Sequence, residues 1–132
     1  MERKVLFVCG ENAARSQMAE ALFNHLARRW RAESAGTFPA ERVNPLAVEV
    51  MRELGLDLSG AVPRALDLER LGEFDRIISF GCIAKAAFPA RERLEEWPIP
   101  DPGKGDLETM RQAREEIRRR VEALVRELEG EG

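Results

Sequence analysis

Lys4-Val5-Leu6-Phe7-Val8-Cys9-Gly10-Glu11-Asn12-Ala13-Ala14-Arg15-Ser16-Gln17-Met18-Ala19-Glu20 is the stretch on which the reading of the whole chain turns. Lys4 to Val8 is short, apolar almost without a break, and rich in β-branched and aromatic side chains. That is the pattern of a strand buried on both faces of a parallel sheet. From Ser16 the sequence opens a helix, with Met18, Leu22, Leu26 and the stem of Arg29 expected on one stripe.

Cys9 stands at the end of the strand, and the spacing to Arg15 and Ser16 gives each residue a chemical task. The backbone N–H groups of Gly10, Glu11, Asn12, Ala13 and Ala14 can turn inward as an oxyanion cradle, and the following helix adds its free N–H groups and positive dipole end. The same groups favour a thiolate, so Cys9 reads as a nucleophile, with Ser16 placed to donate a hydrogen bond to it. Arg15 offers a planar guanidinium that grips two oxygens of a tetrahedral anion. Gly10 and Asn12 are expected to supply the left-handed or tightly turned backbone of such a loop. The competing reading is an inert cysteine at a strand end beside an unrelated surface arginine. The position of Cys9 directly after the strand, with Ser16 opening a helix, weighs against it. No Gly-Lys-Ser/Thr and no Gly-x-Gly-x-x-Gly follows a strand, which excludes the nucleotide-binding loops.

Outward from this stretch, Arg31 to Ser34 is a second candidate strand, followed by a loop from Gly36 to Arg42. Asn44 caps and Pro45 begins a helix running to about Leu54, where Gly55 can stop it. Ser59 to Arg64 reads as loop, Leu66 to Leu71 as a short helix, Arg76 to Phe80 as a third strand and Arg93 to Glu96 as a weak fourth. The prolines at 98, 100 and 102 make Trp97 to Gly103 an extended loop. Leu107 to Leu128 carries Ile117, Val121, Leu124, Val125 and Leu128 at helical spacing. Its Arg118-Arg119-Arg120 run is expected to be a solvated face paired with Glu115, Glu116 and Glu122. Strands alternating with helices predict an α/β fold, a doubly wound parallel sheet with its ligand site beyond the carboxyl ends of the strands.

A length of 132 residues predicts one domain spanning 1–132. With 44% hydrophobic and 34% charged residues, the chain has material for a core and a polar surface, which argues against disorder. The net charge of −3 argues against a nucleic-acid binder that neutralises phosphates over a broad face, while permitting a local anion site. No apolar run approaches the roughly 18 residues needed to span a bilayer, so a cytoplasmic location without membrane contact is expected. Two cysteines, Cys9 and Cys82, cannot build a disulfide framework. With His25 alone beside them, a four-ligand zinc site is out of reach. The thiols are therefore expected to matter as reactive groups, and no cofactor is called for. His25 is expected at the surface, Trp30 and Trp97 in core or rim packing, with Trp97 a candidate wall near Asp101.

Val8 to Glu20 resembles the signature of the low-molecular-weight tyrosine phosphatase superfamily. Ser34-Ala35-Gly36, Asn44-Pro45, Gly55-Leu56-Asp57-Leu58-Ser59, Gly81-Cys82, Trp97 through Asp101-Pro102 and the terminal helix extend the resemblance along essentially the whole chain. Within the superfamily the sequence looks most like the thioredoxin-coupled arsenate reductases. The resemblance implies a single α/β domain with a four-stranded parallel sheet and helices on both faces. It also implies Cys9 as nucleophile, Arg15 as oxyanion binder and Asp101 as general acid. Asp101 has independent support, since a carboxyl group in a proline-flanked loop after the last strand can protonate a leaving oxygen. Its plainer reading is a turn-forming Asp before Pro. Asn12, Glu20 and Ser34 match positions that hold a potassium ion in some reductases of the family.

Reductase and phosphatase share attack by Cys9 and part at the fate of the adduct. If the first and third strands are neighbours, as the family implies, Cys82 comes within reach of Cys9. A thiol there can resolve a Cys9–arsenate adduct, release arsenite and leave a Cys9–Cys82 disulfide for an external reductant. A phosphatase would finish a Cys9 phosphoenzyme with water, and Cys82 would then be a small packing residue. The Gly103-Lys104-Gly105 run after Asp101-Pro102 and the absence of any Tyr lean toward a small inorganic substrate, arsenate or phosphate, over a phosphotyrosine ester. The branch usually carries a third cysteine after the second, and here Ile83-Ala84-Lys85-Ala86-Ala87-Phe88 stands instead. Thioredoxin, glutaredoxin and a small thiol all stay open as reductant. A third reading, a non-catalytic oxyanion-binding module, would bind phosphate without turnover.

Overall fold

A computed structural model describes residues 3–81, 88–89, 91–103 and 105–130. Four strands, β1 (Arg3–Cys9), β2 (Trp30–Gly36), β3 (Arg76–Ser79) and β4 (Leu94–Glu96), form one sheet in the order β2-β1-β3-β4, with every pairing parallel. The α-helices are α1 (Arg15–Leu26), α2 (Pro45–Arg52) and α3 (Leu107–Glu129). None among the described residues is long and apolar enough to cross a membrane.

β1 is buried on both faces because its side chains alternate between two cores. Val5, Phe7 and Cys9 join Met18, Leu22 and Phe23 of α1, Val50 and Met51 of α2, and Met110, Ile117 and Val121 of α3. Leu6 and Val8 join Leu71, Phe74, Ile77, Phe88 and Leu94 on the opposite side. Among the described residues the α-helices cover one face, and a 3-10 turn at Leu68–Glu73 helps to cover the other. That turn replaces the short helix expected from Leu66 to Leu71. Asp67 caps it by accepting from Glu69 N–H at 3.0 Å, which sets its start two residues later.

α1 ends at Leu26, so Arg29 lies outside it. Leu26 is half-exposed, and the buried stripe is Met18, Ala19, Leu22 and Phe23 instead of the one running to Arg29. α2 begins as expected, with Asn44 Oδ1 accepting from Leu46 N–H and Pro45 in the first turn. It ends at Arg52, and Gly55, at φ +77°, completes the turn that follows. His25 is exposed, whereas Trp30 and Trp97 are buried. Trp97 packs against Phe7 and Phe80 in the core, so it does not wall the site. Arg118, Arg119 and Arg120 pair with Glu115, Glu116 and Glu122 along α3.

From β1 the chain first winds out to β2 and then crosses to β3 on the other side of β1. The strand order therefore reverses beside the carboxyl end of β1, and such a reversal leaves a crevice there. Cys9 is its last residue.

Candidate active site

The segment after Cys9 curls because its carbonyls are engaged from outside. Cys9 O accepts from Thr37 N–H at 3.2 Å, Gly10 O from Phe38 at 2.7 Å, Glu11 O from Ala40 at 2.9 Å and Ala13 O from Asn44 at 2.9 Å. In a trans peptide the N–H points opposite to the preceding C=O. With these four carbonyls turned outward, the N–H groups of Gly10, Glu11, Asn12 and Ala14 point to the concave side, an arrangement suited to an anion. Asn12 takes the left-handed backbone, at φ +52°, and Gly10 opens the bend without it. Gly36 lies directly under the curl. A Cβ there would fall 2.7 Å from Gly10 O and 2.8 Å from Asn12 N, which only glycine avoids.

Asn12 holds the loop in place through every hydrogen-bonding position of its side chain. Its Nδ2 donates to Ser16 Oγ at 2.7 Å and to Ser34 Oγ at 2.9 Å. Its Oδ1 accepts from Gln17 Nε2 at 3.0 Å and from Arg64 N–H at 2.9 Å. Being fully buried, such an amide is stabilising only when all of these are made. Ser16 Oγ, already accepting from Asn12, lies 2.8 Å from Cys9 Sγ and has its own proton to give to the sulfur. Cys9 is a free thiol, only 3% exposed.

Arg15 is buried as well, and backbone carbonyls fix its direction. Its Nη1 donates to Phe80 O at 2.9 Å and to Ile99 O at 2.8 Å, and the guanidinium lies 5.8 Å from the centre of the Phe80 ring. One nitrogen is thus spent on the segments that follow β3 and β4, leaving Nε and Nη2 as the two-pronged fork. Nη2 lies 3.9 Å from Asp101 Oδ2. Asp101 is exposed on the rim, where its Oδ1 accepts from Gly103 N–H at 2.9 Å. Cys9, Glu11, Ala13, Ala14, Arg15, Asn44, Asp101 and Gly103 enclose a cavity of about 20 Å³, room for one compact polar group.

Cys9, Ser16, Arg15 and Asp101 therefore stand in one place, together with the Gly10–Ala14 loop. Cys82 lies outside the described residues, as do Ile83 to Ala87 and Lys104. β3 does pair with β1, and Phe80 N–H donates to Val8 O at 3.0 Å, so β3 ends level with the end of β1.

The potassium candidates do meet, but as partners of one another. Asn12 donates to Ser34, the Ser34 hydroxyl donates to Glu20 Oε1, and Arg64 Nη2 reaches both carboxylate oxygens of Glu20, at 3.0 and 3.3 Å. Both Glu20 oxygens already accept, Ser34 and Asn12 bond one another, and a guanidinium already supplies the positive charge. These residues do not fit a bound potassium ion.

Gln17, Arg64 and Phe38 carried no signal in the sequence. Arg64 is separated from Asn12 by 52 positions, and Phe38 sits in a loop of no regular pattern. Phe38 is 80% exposed while its N–H is fixed on Gly10 O, an aromatic ring standing free beside the loop.

A family model described as low molecular weight phosphotyrosine protein phosphatase matches residues 4–132. The chain belongs to this family. Its relatives include a glutaredoxin arsenate reductase of Synechocystis sp. (strain PCC 6803), 33% identical over 96% of this chain and 98% of that one. Among solved structures, the arsenate reductase from Archaeoglobus fulgidus is 41% identical, covering 92% of this chain and 98% of its own, with a TM-score of 0.81. An arginine phosphatase from Geobacillus stearothermophilus superposes with a TM-score of 0.86 at 26% identity, over 96% and 93% of the two chains. Members of this fold family thus divide between reduction and hydrolysis.

Proposed function

We propose that this chain is a thiol-dependent arsenate reductase, residues 1–132 acting as one catalytic domain. The observation that carries the reading is the buried Cys9 sulfur, hydrogen-bonded to Ser16 at the floor of a small cavity rimmed by Arg15 and Asp101. The inward-turned loop N–H groups and the fixed Arg15 guanidinium support a compact tetrahedral oxyanion, and the arsenate reductases among the relatives at 33% and 41% identity support arsenate in particular.

In this scheme the loop N–H groups and the Arg15 fork hold arsenate, and the Cys9 thiolate attacks arsenic. An As–S bond forms, and one oxygen leaves as water with a proton from Asp101. The Cys82 thiolate then attacks Cys9 sulfur. The S–S bond forms, the As–S bond breaks, and its electron pair goes to arsenic, which departs as arsenite. The two electrons gained by arsenic are those lost by the thiols. An external thiol, whether thioredoxin, glutaredoxin or a small thiol, returns them by reducing the Cys9–Cys82 disulfide. The glutaredoxin named for the Synechocystis relative supports a thiol donor of that kind.

Phosphatase activity is a second reading favoured by Phe38. An exposed ring beside Gly10 offers a stacking surface for the organic part of a phosphoester, which arsenate does not need. Arsenate-dependent NADPH oxidation with thioredoxin and its reductase separates the two, comparing the native chain with Cys82→Ser beside hydrolysis of p-nitrophenyl phosphate. Arsenate turnover that vanishes with Cys82 supports the reductase. Equal ester hydrolysis by both proteins without arsenate reduction makes the chain a phosphatase.

A further inference from the structure

Glu20 stands one helical turn beyond Ser16 on α1. A carboxylate there is unfavourable for a site meant to gather a thiolate and a tetrahedral oxyanion, because like charges oppose one another. It is also wired to the sulfur. Glu20 accepts from Ser34, Ser34 accepts from Asn12, Asn12 also donates to Ser16, and Ser16 contacts Cys9. Arg64 closes the far end of this chain by holding both oxygens of Glu20.

The Arg64–Glu20 pair makes little sense as a device for stability. Its side chains are 52% and 22% exposed, and ion pairs so accessible to water add little to folding. The backbone of residue 64 already does the structural work: its N–H goes to Asn12 Oδ1, and its carbonyl accepts from Gly36 N–H at 2.8 Å. Removing the side chain leaves both bonds in place, so the effect of its charge can be isolated.

We propose that Arg64 is a positioning residue for the Cys9 loop. Its guanidinium neutralises Glu20 and so protects the anion site from a negative charge relayed through Ser34, Asn12 and Ser16. It thereby does with a tethered side chain what a monovalent cation would do at the same carboxylate. The inference rests on Cys9 being the nucleophile, and is independent of which oxyanion Cys9 attacks. Among the described residues that line the Cys9 cavity, the other charged groups are Arg15, Glu11 and Asp101, and Glu20 pairs with none of them.

The test is alkylation of Cys9 by iodoacetamide across pH, in a Cys82→Ser background that leaves Cys9 as the only thiol. Arg64→Ala should move the alkylation profile to higher pH. Near neutrality it should slow the reaction roughly three- to tenfold, as expected for a charge felt through several hydrogen bonds. Arg64→Lys should behave like the native chain. Potassium chloride substituted for choline chloride should speed Arg64→Ala and leave the native chain unchanged. The Glu20→Gln/Arg64→Ala double variant should alkylate at the native rate, because the offending charge is gone. The proposal is overturned if Arg64→Ala alkylates like the native chain, or if its defect persists in full beside Glu20→Gln. It is equally overturned if the defect only follows a loss of thermal stability that neither potassium nor Glu20→Gln restores. A chain that shows the expected alkylation pattern and reduces no arsenate sinks the reductase reading and leaves this one standing.

Discussion

Ser16 is held by Asn12 so that its proton has Cys9 as the natural recipient, and the sulfur has no other side-chain donor among the described residues. Replacing Ser16 by Ala removes one oxygen and leaves one buried Asn12 N–H without its acceptor, at about 1–3 kcal/mol, so a thermal melt of the variant belongs beside its rate. A hydrogen bond to an ionised group is worth about 1.5–3 kcal/mol. The Cys9 reaction in Ser16→Ala should therefore slow by roughly ten- to hundredfold near neutral pH. Single-turnover kinetics on arsenate or an ester would show it, and an unchanged rate would remove Ser16 from the mechanism. Cys9→Ser should form no covalent adduct by intact mass and turn over nothing. Asp101→Asn keeps the anion cradle and loses the proton. Turnover should fall while competitive inhibition by phosphate stays as it was, and a rate equal to the native one would exclude Asp101 as the acid.

At the level of elements, the loop keeps its shape because β2 supplies Gly36 beneath it and the 37–44 segment clamps its carbonyls. The Cβ of Gly36→Ala would meet backbone atoms, which cannot swing aside as a side chain can. Gly36→Ala should therefore weaken phosphate binding far more than it lowers the melting temperature, measurable by phosphate inhibition beside a thermal melt. Equal phosphate affinity in the two proteins would mean that the loop tolerates the shift. β1, α2 and α3 were legible in the sequence because each announces itself locally: an unbroken apolar run, an Asn-Pro start, a 3.6-residue stripe. The same locality exposed Cys9, Arg15 and Ser16. The end of α1 and the 3-10 turn differ from the sequence expectation because neighbouring caps and packing decide them. Asn12's four partners come from positions 16, 17, 34 and 64, so its role became visible only when the fold brought those segments together.

Across the whole molecule, α3 is tied to its surroundings by carboxylates that are easier to ionise in the folded chain. Hydrogen bonds from Arg111 and then Arg114 hold Glu53 at about 2, against an ordinary 4.5, and so link α2 to α3. Burial pushes Glu129 upward, but the N–H groups of Arg28, Arg29 and Trp30 outweigh it and leave that carboxyl below its ordinary value. A carboxyl lowered by folding stabilises the native state above its unfolded value, and the contribution is lost as pH falls through the folded one. Their contribution to the melting temperature should therefore be fully present at neutral pH and be lost between about 4.5 and about 2. The fall should be shallower in Glu53→Gln, and an identical pH profile for both chains would discount the Arg111–Glu53–Arg114 bridge. The depth of Cys9 has a consequence for traffic in electrons. A sulfur 3% exposed at the floor of a cavity of about 20 Å³ sorts its visitors by girth before chemistry begins. A small ion fits such a recess better than the bulk of a folded donor protein, so on the proposed cycle a protein donor would meet the second sulfur before this one.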